Sequence, residues 1–117
     1  MIDRYTRPEM GAVWATDQRF HWMLEVEKAV ATAQAEQGVI PKDACRDILA
    51  KSGFNVERIS EIERTTRHDV IAFVSAVAET VGPNGRFIHY GMTSSDVLDT
   101  ALSLQIRSAW AVLAASL

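Results

Sequence analysis

Apolar positions recur along the chain at three- and four-residue intervals, and the breaks between them fall at glycine, proline and capping residues, the pattern of successive amphipathic helices. Thr6-Arg7-Pro8-Glu9 has capping-box spacing with proline just inside, which predicts a short helix to about Trp14. Thr16 and Asp17 offer a second cap. From there Phe20, Met23, Leu24, Glu27, Val30 and Ala31 keep helical spacing until Gly38, a residue suited to the positive φ that ends a helix. Pro41 opens a third helix that runs through Lys51 and stops at Ser52-Gly53. Asn55 caps a fourth, whose narrow stripe is Val56, Ile59 and Ile62.

Val70, Phe73, Val74, Val77 and Val81 predict a fifth helix from Asp69 to Val81, with one buried face despite the strand preference of valine. Gly82-Pro83-Asn84-Gly85 breaks it, and Arg86 to Met92 is the one stretch where a strand or an irregular loop is expected. Thr93-Ser94-Ser95-Asp96 then caps a last helix. That helix carries Val97, Leu98, Ala101, Leu102, Leu104, Ile106, Ala109, Trp110, Val112 and Leu113 on more than one face, too apolar for a solvated helix and suited to a larger bundle or an oligomer. It reaches Leu117 without glycine, proline or a basic last turn, so it is expected to be cut rather than finished. With no strand ladder, repeat or linker in the pattern, the expected architecture is all-α with short connections.

Composition adds limits to this picture. The 117 residues are 48% hydrophobic and 23% charged, the profile of one globular unit, and the formal net charge of −3 supplies no general field for nucleic acid or an anionic membrane. Neither is expected as a partner, and any anion must be held locally. The single cysteine, Cys45, cannot form an internal disulfide and reads as a small buried apolar residue. The opening Met1-Ile2-Asp3-Arg4-Tyr5 is not a secretory signal, and the apolar stretch from Ser95 to Leu117 is interrupted by Asp96, Asp99, Gln105 and Arg107, so the expected location is the cytoplasm. Three histidines without a ligand motif make a metal unexpected, and His21 reads as a packed or exposed helical residue.

Two polar clusters interrupt the helical pattern. Thr65-Thr66-Arg67-His68-Asp69 joins the fourth helix to the fifth, where Arg67 offers a planar fork of donors, His68 can donate or accept, and Asp69 can cap the helix that follows. A cap with solvated charges is the plainer reading of the same residues. His89-Tyr90-Gly91-Met92-Thr93-Ser94-Ser95-Asp96 leads into the last helix, where backbone N–H groups and the Thr93 and Ser94 hydroxyls can converge on a carboxylate or phosphate. Capping accounts for one hydroxyl there more readily than for three. Arg4 and Tyr5 pair a bidentate donor with a hydrogen-bonding aromatic.

Three segments in order, Met1-Ile2-Asp3-Arg4-Tyr5-Thr6-Arg7-Pro8-Glu9-Met10, Thr65 to Phe73 and His89 to Thr100, resemble the N-terminal part of the adenylosuccinate lyase family in the fumarase/aspartase superfamily. The last segment alone is common to the superfamily; the Arg4-Tyr5 opening and the Arg67-His68-Asp69-Val70 stretch narrow the likeness. The resemblance implies an N-terminal helical domain over residues 1–93 and the beginning of a central bundle domain over 94–117. It implies a cytoplasmic homotetramer whose long helices form one bundle, with active sites built from several subunits. The family reaction eliminates fumarate from adenylosuccinate to give AMP, and from the succinylated aminoimidazole carboxamide ribotide, without metal or organic cofactor. Arg4 and Tyr5 resemble the family's contacts on the nucleotide phosphate and ribose side. Arg67, His68 and Asp69 resemble its substrate-binding trio, His68 with an assisting part in acid catalysis. His89 resembles a histidine of the phosphate region, and Thr93 and Ser94 the pair on a succinyl carboxylate. The family's further catalytic histidine and its mobile serine-rich loop have no counterpart in these 117 residues, so the chain by itself is expected to be inactive. Carboxymuconate cycloisomerases carry a related block, typically with Gln where this chain has Ser95, and a helical interaction module is the alternative of another class.

Overall fold

A computed structural model describes residues 2–117; Met1, the first residue of the opening segment, lies outside them. Six α-helices follow in order: α1 (Pro8–Val13), α2 (Thr16–Glu36), α3 (Lys42–Lys51), α4 (Val56–Thr66), α5 (Asp69–Val81) and α6 (Ser94–Ser116). Short 3-10 turns occupy Asp3–Tyr5 and Pro83–Phe87, and there is no strand among the described residues. The all-α expectation stands. Arg86 to Met92 takes the irregular course: the second 3-10 turn, then turns to Gly91.

Most chain punctuation works as its residue types dictate. Gly38 has φ +74°, and the Gly38 and Val39 N–H groups donate back to the carbonyls of Ala35 and Gln34 at 3.2 and 2.8 Å, the paired bonds of a Schellman ending. Asn55 caps α4, its side-chain oxygen accepting from the Arg58 N–H at 2.9 Å. Thr93 and Asp96 form a capping box on α6, with the Asp96 carboxylate accepting from the Thr93 N–H at 2.8 Å.

Three expected caps are corrected. Arg7, not Thr6, stands at the N-cap of α1, because the Thr6 hydroxyl donates instead to the Ile2 carbonyl at 2.8 Å. Ala15 precedes α2 without a side-chain cap, so Thr16 and Asp17 lie inside the helix. His68, not Asp69, caps α5: its Nδ1 accepts from the Ile71 N–H at 3.2 Å.

The core lies where α2, α3, α4, α5 and the start of α6 meet, around the fully buried Met23, Ile48, Ile59, Val70, Phe73, Val77 and Val97. Phe20 stacks on Phe73 with ring centroids 5.7 Å apart and tilts against Phe54 at 5.9 Å, which seats α2 on the α4–α5 hairpin. Ala72 and Ala76 are buried beside the valine stripe, so α5 is covered on more than one face. Helix α6 runs antiparallel to α2: its start lies beside Val26 and Val30, and farther along the buried Gln105 donates to the Val13 carbonyl at 3.1 Å. The far end of α6 touches the N-terminal segment. Leu102, Ile106, Trp110 and Leu113 are exposed on it, Trp110 to 63%.

Candidate functional site

Each polar cluster is positioned by a helix end. In the 3-10 turn at the N-terminus the Arg4 guanidinium lies over the Tyr5 ring, 4.8 Å from its centroid, and both residues are exposed. Tyr5, Thr6 and Met10 face Val112, Leu113 and Ser116 across an open groove of about 800 Å³. This places the pair at the far end of α6.

The second cluster is the corner between α4 and α5. Arg67 closes α4 in the left-handed conformation (φ 52°), its N–H bonded to the Glu63 carbonyl at 2.7 Å, and its side chain is exposed. Because His68 Nδ1 accepts the Ile71 N–H, the neutral ring carries its proton on Nε2 and presents a donor outward. Asp69 Oδ1 accepts from the Val70 N–H at 2.8 Å, and its Oδ2 pairs with Arg19 at 3.2 Å. Capping and ligand binding are compatible here: His68 caps with one nitrogen and leaves the other free to act.

The third cluster sits on α2. His89 has φ +62°, unusual outside glycine, and its backbone N–H and Nδ1 lie 2.9 and 2.8 Å from the two oxygens of Glu27. Burial raises the pKa of the Glu27 carboxyl, while its contacts with His89 pull it down. Two turns farther along α2, Gln34 Nε2 donates to the Tyr90 carbonyl at 2.7 Å. The hydroxyl-bearing Thr93 and Ser94 follow at the N-terminus of α6, Thr93 exposed and Ser94 half-buried.

The fold does not gather these clusters into one pocket. Arg19, beside Asp69, and Glu27, beside His89, are eight residues apart on α2, about 12 Å along its axis. Tyr5 lies near Val112, eighteen residues from Ser94 on α6, or about 27 Å. Each is a separate corner facing outward, and a ligand touching all three would need further surfaces. No group of three or more metal-ligating side chains occurs among the described residues. No helix among them is long and apolar enough to cross a membrane.

Sequence reasoning left Glu27, Arg19 and Gln34 out of the site. For Glu27 a signal existed, since it occupies a position in the apolar stripe of α2 where a carboxylate is costly without a partner. Arg19 and Gln34 lie among other polar surface residues, and only the packing of α5 and the 88–92 turn against α2 reveals their partners.

A protein-family model described as "Lyase" matches residues 3–117. Curated adenylosuccinate lyases are similar to the chain: 50% identity over 109 residues for that of Bacillus subtilis, covering 93% of this chain and 25% of the relative. For that of Synechocystis sp. the identity is 56% over 106 residues, covering 91% and 25%. Among solved structures, a fumarate lyase from Mesorhizobium sp. BNC1 superposes with a TM-score of 0.82 at 30% identity, covering 89% of this chain and 25% of that one. The β-carboxy-cis,cis-muconate cycloisomerase of Acinetobacter calcoaceticus sp. ADP1 gives a TM-score of 0.79 at 28% identity, covering 91% and 27%. The chain spans about a quarter of the length of the curated relatives it matches. With a family match over nearly every residue and the same helical fold in its structural neighbours, the chain belongs to the lyase family, in the fumarase/aspartase superfamily.

Proposed function

We propose that this chain is the N-terminal part of an adenylosuccinate lyase, an enzyme that eliminates fumarate from adenylosuccinate to leave AMP and performs the same elimination on the succinylated aminoimidazole carboxamide ribotide. The observation that carries the reading is the 50% identity to the Bacillus subtilis adenylosuccinate lyase across 93% of the chain, against 28% for the cycloisomerase. Residues 1–93 form its N-terminal helical domain and residues 94–117 begin its central bundle. The working enzyme is a cytoplasmic homotetramer needing no cofactor, in which the exposed stripe of α6 meets other helices of the bundle.

The elimination removes a proton from the carbon beside a carboxylate, places the negative charge on that carboxylate, and protonates the nitrogen as the C–N bond breaks. In this reading the chain supplies binding rather than the principal acid and base. Thr93 and Ser94 hold a succinyl carboxylate at the positive end of α6, where developing charge is also stabilised. Arg67 and Asp69 bind substrate, and His68 offers its outward Nε2–H near the leaving nitrogen. Arg4, Tyr5 and His89 serve the phosphate and ribose side. The outward separation of the three corners supports sites shared between subunits.

The test is a chimera in which this chain replaces the corresponding quarter of the Bacillus subtilis enzyme. The chimera is expected to cleave adenylosuccinate, and His68→Ala or Ser94→Ala within it to lower kcat/KM by about 100-fold. A folded, tetrameric chimera without that activity, or one that lactonises carboxymuconate instead, overturns the reading. Calorimetry of the 117-residue chain with AMP and with fumarate shows whether its corners bind before other subunits complete them.

A further inference from the structure

Glu27 is a buried carboxylate, 2% exposed, two turns along α2 from the Arg19 that meets the Arg67 corner, and both of its oxygens are taken by one residue. His89 gives it a backbone N–H at 2.9 Å and a ring nitrogen at 2.8 Å, while the backbone of His89 is held in the left-handed region at φ +62°. That conformation costs a non-glycine residue free energy and persists where surroundings dictate it. Here Glu27 grips His89 from within, and Gln34 fixes the next carbonyl at 2.7 Å. Burial raises the Glu27 pKa and the His89 backbone N–H works against that rise; facing an ionised carboxylate, which only accepts, Nδ1 is the ring nitrogen that carries the proton. Among the described residues Nε2 has no hydrogen-bond partner and is not one of the buried unpaired atoms, and the side chain as a whole is 14% exposed. The ring is thus packed on its sides and open at one atom.

We propose that Glu27 is a positioning residue for the reaction, holding His89 with Nδ1–H inward so that the ring, taking a second proton from solvent on Nε2, presents an N–H and a positive charge to the anionic group of the substrate. The proposal rests on the reading of His89 as a phosphate-side residue. Glu27 touches no ligand itself; it sets which ring atom the ligand meets and where. Gln in its place keeps the shape and an acceptor for the backbone N–H but turns a donor toward Nδ1, which reverses the tautomer and keeps the ring neutral, without the charge that meets the anion.

Long-range proton–nitrogen correlation spectra of the histidine-labelled 117-residue chain read the tautomer directly. The chain is expected to show His89 protonated on Nδ1, and Glu27→Gln to shift it to protonation on Nε2. Glu27→Asp, which keeps the charge on a shorter arm, is expected to retain the Nδ1 proton and gives the comparison if the Gln variant does not fold. A neutral ring protonated on Nε2 alone in the parent chain, or a tautomer indifferent to Glu27→Gln, overturns the proposal. In the chimera, Glu27→Gln is expected to raise KM for adenylosuccinate about tenfold with kcat nearly unchanged, as lost binding does. If His89→Ala raises KM and Glu27→Gln does not, positioning by Glu27 is refuted while the phosphate-side reading stands. If an active chimera ignores both changes, the reading of His89 itself fails and takes the proposal with it.

Discussion

His68 shows how one side chain carries two roles: its Nδ1 satisfies a helix N–H that would otherwise be unpaired, and this same bond decides that Nε2 is the donor left over. Asp69 divides its oxygens likewise between the adjacent N–H and Arg19. The acid response of the chain is also set by single residues. Arg58 makes two bonds to Glu79, at 2.7 and 2.9 Å, and holds its carboxyl below the ordinary 4.5, while Asn84 and then Lys51 hold Asp47 below 3.8. A carboxyl whose pKa falls on folding stabilises the fold where it is ionised, so this contribution is complete above those ordinary values and is lost as pH falls through the folded ones. Glu27 has the opposite sign: its pKa is raised by burial, so its contribution is present at low pH and lost as pH rises through its folded value. Glu79→Gln is therefore expected to melt below the parent at neutral pH, with the gap closing as pH falls below the ordinary carboxyl value and through the lower folded one, in thermal unfolding followed by circular dichroism. Because the pair is exposed, added salt should narrow the gap as well.

At the scale of the element, helix ends divide into those whose local chemistry acts alone and those overruled by neighbours. Asn55 caps α4 as its side chain predicts, and Asn55→Ala is expected to cost about 1 kcal/mol in urea unfolding without changing the slope. Thr6 could have done the same for α1, but its hydroxyl found the Ile2 carbonyl in the preceding turn. The stripe of α5 was legible because four valines and Phe73 share one face at helical period. The burial of Ala72 and Ala76 was not, since alanine carries little periodic signal and its burial depends on what packs beside it.

For the whole molecule, α6 is the element that leaves a row of large apolar side chains exposed. Val97, Ala101, Gln105 and Ala109 face the rest of the chain, while Leu102, Ile106, Trp110 and Leu113 line up at intervals of four, four and three residues on exposed surface. Such a stripe drives association in water. Sedimentation velocity is expected to show concentration-dependent oligomers of the 117-residue chain, and Ile106→Glu with Trp110→Glu to leave monomers; a monomeric parent at high concentration contradicts this. The all-α architecture and the identity of the polar clusters were determined by the sequence itself, because helical period, glycine and proline placement and capping residues act within a few positions of one another. Tertiary structure alone decided that the clusters stand apart on three corners. It alone gave Glu27 its partner, 62 residues away in the chain, since the balance between desolvation and pairing of a carboxylate is set by what distant segments bring to it.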